Sequence, residues 1–378
     1  MELIVFSHLR WNFVYQRPQH IISRFVNLYK VFYVEEPVFT DQPDGYSCNE
    51  APDKVQVITP HLNTADTGDH NIRIEAIVQQ AFRDFEIKNY IFWYYSPMAL
   101  LFTSSFKPAL IVYDCMDELS AFKFAPPILI DMENELMQKA DVVFTGGKSL
   151  YEAKKNRHQN IYCFPSSIDK AHFNTARHTH IDPADQQNIP HPRLGFFGVV
   201  DERFDIDLVG ELAVKKPEWH IVIIGPVVKI DEASLPRHAN IHYLGMKSYG
   251  ELPAYISTWD IAIMPFAINE STRYISPTKT PEYLAAGKQV ISTRITDVVH
   301  PYAETGLVDI ADTADEFIKY GEIILSNLDD AGWLAETDQF LADVSWDKTW
   351  EQMNKLIEEA KDIKNITNKL KPTQCTTT

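Results

Sequence analysis

The chain of 378 residues is poor in cysteine, with four, and in glycine, with 14. Cys48, Cys115, Cys163 and Cys375 form no C-x-x-C pair, so the sequence offers neither a zinc site nor a redox motif of that kind. They are too few for a disulfide scaffold, and a reducing compartment, the cytoplasm, is expected. The sparse glycines make no G-x-G-x-x-G after a strand, no G-x-x-x-x-G-K-[ST] and no G-x-S-x-G. This argues against a typical dinucleotide dehydrogenase, a P-loop NTPase and an elbow-type hydrolase. The 13 histidines include no H-E-x-x-H or comparable metal spacing. Positive charge is also in deficit: the net charge is -17 and the pI about 5.2. Such a chain repels nucleic-acid phosphates, so no nucleic-acid partner is expected. Long apolar runs are missing. Tyr90 to Phe102 is the most apolar stretch, too short and interrupted for a membrane span. Met1 to Ser7 lacks the basic and apolar regions of a secretory leader.

What is present is ordinary globular material, 45% hydrophobic and 23% charged, in a length that suits two domains. Short β-branched and aromatic runs alternate with amphipathic stretches. Strands are predicted at 3–7, 31–34, 55–59, 90–95, 109–113, 142–145 and 161–164, and helices at 16–28, 72–85 and 128–140. The polar, proline-bearing stretch 175–192 reads as a linker. The alternation then restarts. Strands are predicted at 194–197, 220–224, 241–244, 261–264 and 289–292, and helices at 206–214, 249–257, 278–286, 314–325 and 346–361. The pattern implies an α/β chain of two doubly wound halves with parallel sheets, facing across a cleft. The expected domains are 1–175 and 193–345. A C-terminal helix, 346–365, should return to the first domain, because Trp346, Trp350, Met353 and Leu356 share one face. The tail from Lys369 reads as frayed.

The most informative stretch runs from Asn269 to Ser292, from a strand through a polar loop into a helix and a further strand. Ser276 and Pro277 suit an N-cap and first helical position, whereas Pro281 would remove an early backbone bond. The helix therefore starts between Ser276 and Pro281. Ser276, Thr278, Lys279 and free amides would converge at a strand end, an arrangement suited to a diphosphate. Glu282 beside phosphates makes sense if it accepts from the two hydroxyls of a ribose. The same residues also suit a plain helix start with a carboxylate favoured by the dipole.

Ser-Pro-Thr-Lys-Thr-x-Glu-Tyr-Leu-Ala-Ala-Gly-Lys-x-Val, residues 276–290, resembles the donor-binding motif of family-4-type retaining glycosyltransferases of the GT-B fold. More narrowly, the chain resembles a bacterial subgroup that builds surface polysaccharides. Trp11–His20, Tyr113–Leu119, Ala140–Phe144, Phe197–Asp205, His242–Gly245 and Met264–Phe266 carry the likeness over most of residues 1–350. The resemblance implies two Rossmann-like domains and a nucleotide-diphosphate-sugar donor. It also implies a saccharide or lipid-linked acceptor, no metal or other cofactor, and a place at the inner face of the membrane without spanning it. It implies that Glu282 binds the ribose and that Lys279 and Arg203 hold the diphosphate, with Gly198 allowing close approach. Arg203 could equally be a surface residue paired with Asp201 or Asp205. The chain departs from the family eight positions before Glu282, where Tyr274 replaces a second glutamate. Glu270, in the preceding loop, is the candidate substitute. The family's glycine-rich loop after the first strand is replaced by Ser7–Phe13.

In the first half, His8, Trp11 and Arg17 combine aromatic and basic groups in a way that suits a sugar face and an anion, or a loop packed on the core. Asp117, after the strand ending at Tyr113, is the expected cleft carboxylate; Asp114 suits a structural role. Rivals for the activity are a nucleotide-sugar epimerase of the same fold and an inactive partner subunit.

Overall fold

The computed structural model describes residues 1–179, 181–328 and 330–370. The tail from 371, expected to fray, lies outside them. Two parallel sheets organise the chain. The first contains β1 (Glu2–Phe6), β2 (Lys30–Val34), β3 (Val38–Thr40), β4 (Gly45–Glu50), β5 (Gln56–Asn63), β6 (Tyr90–Tyr94), β7 (Leu110–Cys115), β8 (Val142–Thr145) and β9 (Ile161–Cys163). Its order is β3-β5-β2-β1-β6-β7-β8-β9, with β4 antiparallel on β5. The second holds β10 (Arg193–Phe197), β11 (His220–Ile224), β12 (Ile241–Gly245), β13 (Ile261–Met264), β14 (Val290–Ser292) and β15 (Val308–Ile310), ordered β12-β11-β10-β13-β14-β15.

The continuous apolar strands are explained by cover on both faces. Along β1, Leu3 and Val5 face one core and Ile4 and Phe6 the other. Helix His70–Asp84 covers the second face, with Ile74, Ile77, Val78 and Ala81 buried. The first face is covered partly by the chain's end. Helix Trp346–Leu370 buries Trp346, Met353, Ile357 and Ala360 among Leu3, Trp93 and Val142, with Trp350 and Leu356 packed alongside.

Residues 175–192 are not a free tether. Gln186 is fully buried; its amide donates to the Tyr255 carbonyl (3.1 Å) and the Thr258 hydroxyl (2.7 Å) and accepts from the Trp259 indole (2.9 Å). Ile168, Phe173, Ala176 and Ile189 join the second core. A polar side chain buried this way needs such partners. Helix 16–28 is also not continuous: an α-turn at Arg17–Ile22 passes into a 3-10 segment at Ser23–Asn27.

Candidate active site

The carboxyl ends of both sheets face a cleft of about 620 Å³. On the second half, β13 leads into the loop 265–278. Asn269 braces this loop: its side-chain oxygen accepts from the amides of Ser271 (3.0 Å) and Thr272 (3.2 Å). Helix Lys279–Ala285 follows, with Thr278 at its N-cap position. Pro281 therefore sits in the first turn, where its missing N–H would have had no partner in the helix. Glu282, one turn after Lys279, is buried. Its Oε2 has no hydrogen-bond partner among the described residues. Burial pushes its carboxyl up to about 7, against the opposing pull of the Lys279 ammonium and the Thr278 hydroxyl. Burial also holds Lys279 below its ordinary value; Glu282 opposes this and Arg203 adds to it.

Glycines let these groups approach. Gly198, at the end of β10, has φ +149°, and a Cβ there would lie 2.3 Å from Cε of Lys279. Gly225, after β11, has φ +139°, and a Cβ there would lie 1.9 Å from the Gly198 carbonyl oxygen. A side chain at either position would displace the lysine or the strand end. The Lys279 ammonium lies 5.9 Å from the centre of the Phe197 ring. Arg203 donates to both Asp201 oxygens, at 2.6–3.2 Å, and stacks 5.2 Å from the Phe122 ring of the first half. Asp205 instead caps helix Ile206–Lys215, accepting from the Leu208 amide at 2.9 Å.

On the first half, the end of β7 and the turn after it carry three carboxylates with different fates. Asp114 is fully buried and takes three hydrogen bonds from Arg17, at 2.9–3.1 Å. Glu118 meets the buried Lys154 ammonium at 2.6 Å. Asp117, held between them, lines the cleft. Burial raises its carboxyl, and the charges of Arg203, Arg17 and Lys279 oppose that rise.

The structure thus brings Trp11, Arg17 and Asp117 of the first half to one cavity with Gly198, Arg203, Glu282 and the 276–279 loop of the second. Arg17 reaches the cavity wall with its guanidinium already engaged by Asp114 and by the Phe164 carbonyl (2.7 Å). Trp11 is buried edge-on against Tyr33, and its amide donates to Glu35 (2.8 Å). Two expected residues lie outside the lining. His8 is half-buried, and burial lowers its imidazole to about 4, helped by Lys229. Glu270 is exposed, 3.5 Å from Arg273, because the turn closed by Asn269 aims it outward. Tyr274 packs against the core of the first half.

Sequence reasoning passed over Tyr249, which lines the same cleft as the 276–282 segment. The available signal was a capping box: Ser248 donates its amide to Glu251 (2.9 Å), fixing Tyr249 as the first residue of a helical turn.

The comparisons fit this geometry. Residues 192–327 match the family model described as glycosyl transferases group 1. The Bacillus subtilis (strain 168) protein TuaH, provisionally named as a teichuronic acid biosynthesis glycosyltransferase, is 25% identical over 223 residues. That match spans 54% of this chain and 55%, about half, of the relative. Among solved structures, sucrose-phosphate synthase from Thermosynechococcus elongatus superposes with a TM-score of 0.70 at 14% identity, covering 95% of this chain and 98% of that one. Anabaena HepE in complex with UDP gives 0.66 at 10% identity, over 95% and 100%. WaaG, a glycosyltransferase involved in lipopolysaccharide biosynthesis, gives 0.59 at 12%, over 96% and 99%. With two parallel-sheet halves facing across a cleft, the chain has the GT-B fold of these glycosyltransferases.

Proposed function

We propose that the protein is a glycosyltransferase that moves a sugar from a nucleoside-diphosphate sugar to a saccharide or lipid-linked acceptor during cell-surface polysaccharide synthesis, with retention at the anomeric carbon. The observation that carries this is Lys279 and Glu282, one helical turn apart on the wall of a cleft that Arg203 shares. In transfer, the bond from the anomeric carbon to the diphosphate oxygen breaks through an oxocarbenium-like state. Negative charge grows on the leaving diphosphate, and Lys279 and Arg203 stabilise it. Glu282 accepts from the ribose, which does not change in the reaction. The acceptor oxygen bonds to the anomeric carbon on the face the diphosphate leaves, and the departing phosphate takes the acceptor's proton. Asp117 orients the acceptor or steadies the cation. These cations take the charge-neutralising part that a metal would otherwise play, so metal independence belongs to the same proposal.

The similarity to TuaH supports a polysaccharide acceptor, and the UDP complex of a structural relative supports a nucleotide donor. A lipid-linked acceptor would hold the protein peripherally at the inner face of the membrane; no described helix is long and apolar enough to cross one. The outward position of Glu270 and the replacement at Tyr274 favour the second reading, an inactive partner subunit. The test is a melting-temperature screen against UDP, ADP and GDP sugars, since a ligand of the folded state raises stability. Assay of sugar transfer, and of the product's anomeric configuration, follows. At least one donor should stabilise the protein and be turned over. Stabilisation without turnover favours the inactive partner, and no stabilisation by any donor removes the donor site.

A further inference from the structure

In addition to the buried, unpartnered Oε2 of Glu282, another polar atom of the same cleft has no partner among the described residues: the hydroxyl of Tyr249. The Glu282 charge acts on this phenol and, after burial, is the largest influence raising it. Two buried polar atoms left unpaired in one cleft are costly unless something else satisfies them. The Tyr249 ring is also held firmly. It stacks on His172 (4.3 Å between centres, 17°) and on Tyr15 (4.6 Å, 28°), with His20 edge-on at 5.4 Å. His172 Nε2 lies 3.0 Å from the Tyr249 carbonyl oxygen, which fixes the backbone beneath the ring. Packing of the ring on these neighbours fixes the position of its hydroxyl.

We propose that Tyr249 is a donor-binding residue whose hydroxyl, with Glu282, reads the vicinal diol of the donor's ribose. The carboxylate accepts from the diol hydroxyls, and the phenol donates to a diol oxygen. Both orphan atoms are satisfied at once, and a nucleotide lacking the diol leaves them both buried and unpaired. A site built to bond a hydroxyl discriminates strongly against the analogue without it. This inference rests on the donor-site reading above and adds a selectivity to it.

The experiment measures binding of UDP, ADP and GDP to the full chain by calorimetry. Whichever binds is then compared with its 2′,3′-dideoxy form, in wild type and in Tyr249→Phe. Phenylalanine keeps the stacked ring, so the free variant should melt as the wild type does. The expected result is a loss of about fivefold in affinity for the ribonucleotide in Tyr249→Phe, the scale of one neutral hydrogen bond. The dideoxy form should bind wild type and variant alike, so the penalty for losing the diol is smaller in the variant than in the wild type by the same factor. If none of the three nucleotides binds the wild type, the donor-site reading falls and this one with it. If one binds and Tyr249→Phe keeps both the affinity and the full dideoxy penalty, the donor site stands and the role of Tyr249 is overturned.

Discussion

Lys279 and Glu282 are neighbours on one helical turn with opposite tasks, and their protonation should reveal them. Burial raises Glu282 to about 7, so below that pH the carboxyl is neutral and above it ionised. Ribose hydroxyls donate to the ionised form, so binding favours it and releases a proton near neutrality. Lys279 is held below its ordinary value, and an arriving diphosphate favours its charged form. Glu282→Gln removes the release. Calorimetry of nucleoside diphosphate binding at pH 7, in buffers of different ionisation enthalpy, should show the variant's proton balance shifted toward uptake. An identical balance in the two proteins would place Glu282 away from the ligand. Kinetically, Lys279→Ala should lower kcat/KM by about 3 kcal/mol, with kcat falling too, because the lysine acts on charge that grows in the transition state. Glu282→Gln should chiefly raise donor KM, the pattern of uniform binding. On the proposed mechanism transfer should survive EDTA, since Lys279 and Arg203 would supply the positive charge; loss on chelation and recovery with Mn²⁺ or Mg²⁺ would contradict that.

At the scale of elements, the two halves meet through short, directional contacts. Asp297, in the turn Thr296–Val298 of the second half, accepts from the amides of Lys148 (2.8 Å) and Ser149 (2.9 Å). These amides open the helix Lys148–Lys154 of the first half, so the carboxylate caps that helix across the interface. Gly147 makes the approach possible: a Cβ there would lie 2.3 Å from Asp297 Oδ2 and 2.9 Å from Ser276 Cβ. Gly147→Ala should therefore hold the halves apart and raise donor KM through Ser276, while each core stays intact. Small-angle scattering should show a larger radius of gyration; unchanged scattering together with unchanged KM would refute the argument. Asp297→Ala should cost about 1 kcal/mol, the scale of one cap, read as a lower melting temperature. These contacts were not legible in the sequence, because a cap whose acceptor comes from another domain leaves no local spacing. The β3–β4 edge was missed for a different reason. Gly45–Glu50 reads GYSCNE, low in strand propensity, and becomes a strand only by pairing with β5. Within the site, the segment 276–282 was legible because helix-start chemistry and family motif coincide there. Glu270 was misplaced because its direction depends on the Asn269 turn.

At the scale of the whole molecule, the GT-B architecture was legible because alternating apolar runs and amphipathic stretches imply covered parallel sheets, and the motif placed the donor half. Within residues 175–192, Gln186 turns inward onto the Tyr255 carbonyl, a direction that composition does not show. The last helix ties the ends of the chain together. Trp346 is fully buried among residues of the first sheet, stacks 4.8 Å from His20 at 12°, and its amide donates to the Ile168 carbonyl (3.1 Å). Arg24, one turn beyond His20, pairs with Asp347 at 2.7 Å, but that contact is exposed and contributes little. The Trp346 indole N–H has no partner among the described residues, so its contribution is packing. Trp346→Ala should then cost about 3–5 kcal/mol, the range for an emptied aromatic site. The loss should appear in unfolding of the first half, whose sheet loses part of its cover. The proposed donor groups at 276–282 belong to the other half, so nucleotide affinity below the melting point should fall only as far as the freed His20 loosens the Tyr249 ring. Chemical denaturation followed by calorimetric titration with a nucleoside diphosphate separates the two effects. Wild-type stability in Trp346→Ala would show that the helix rests on the first sheet without holding it.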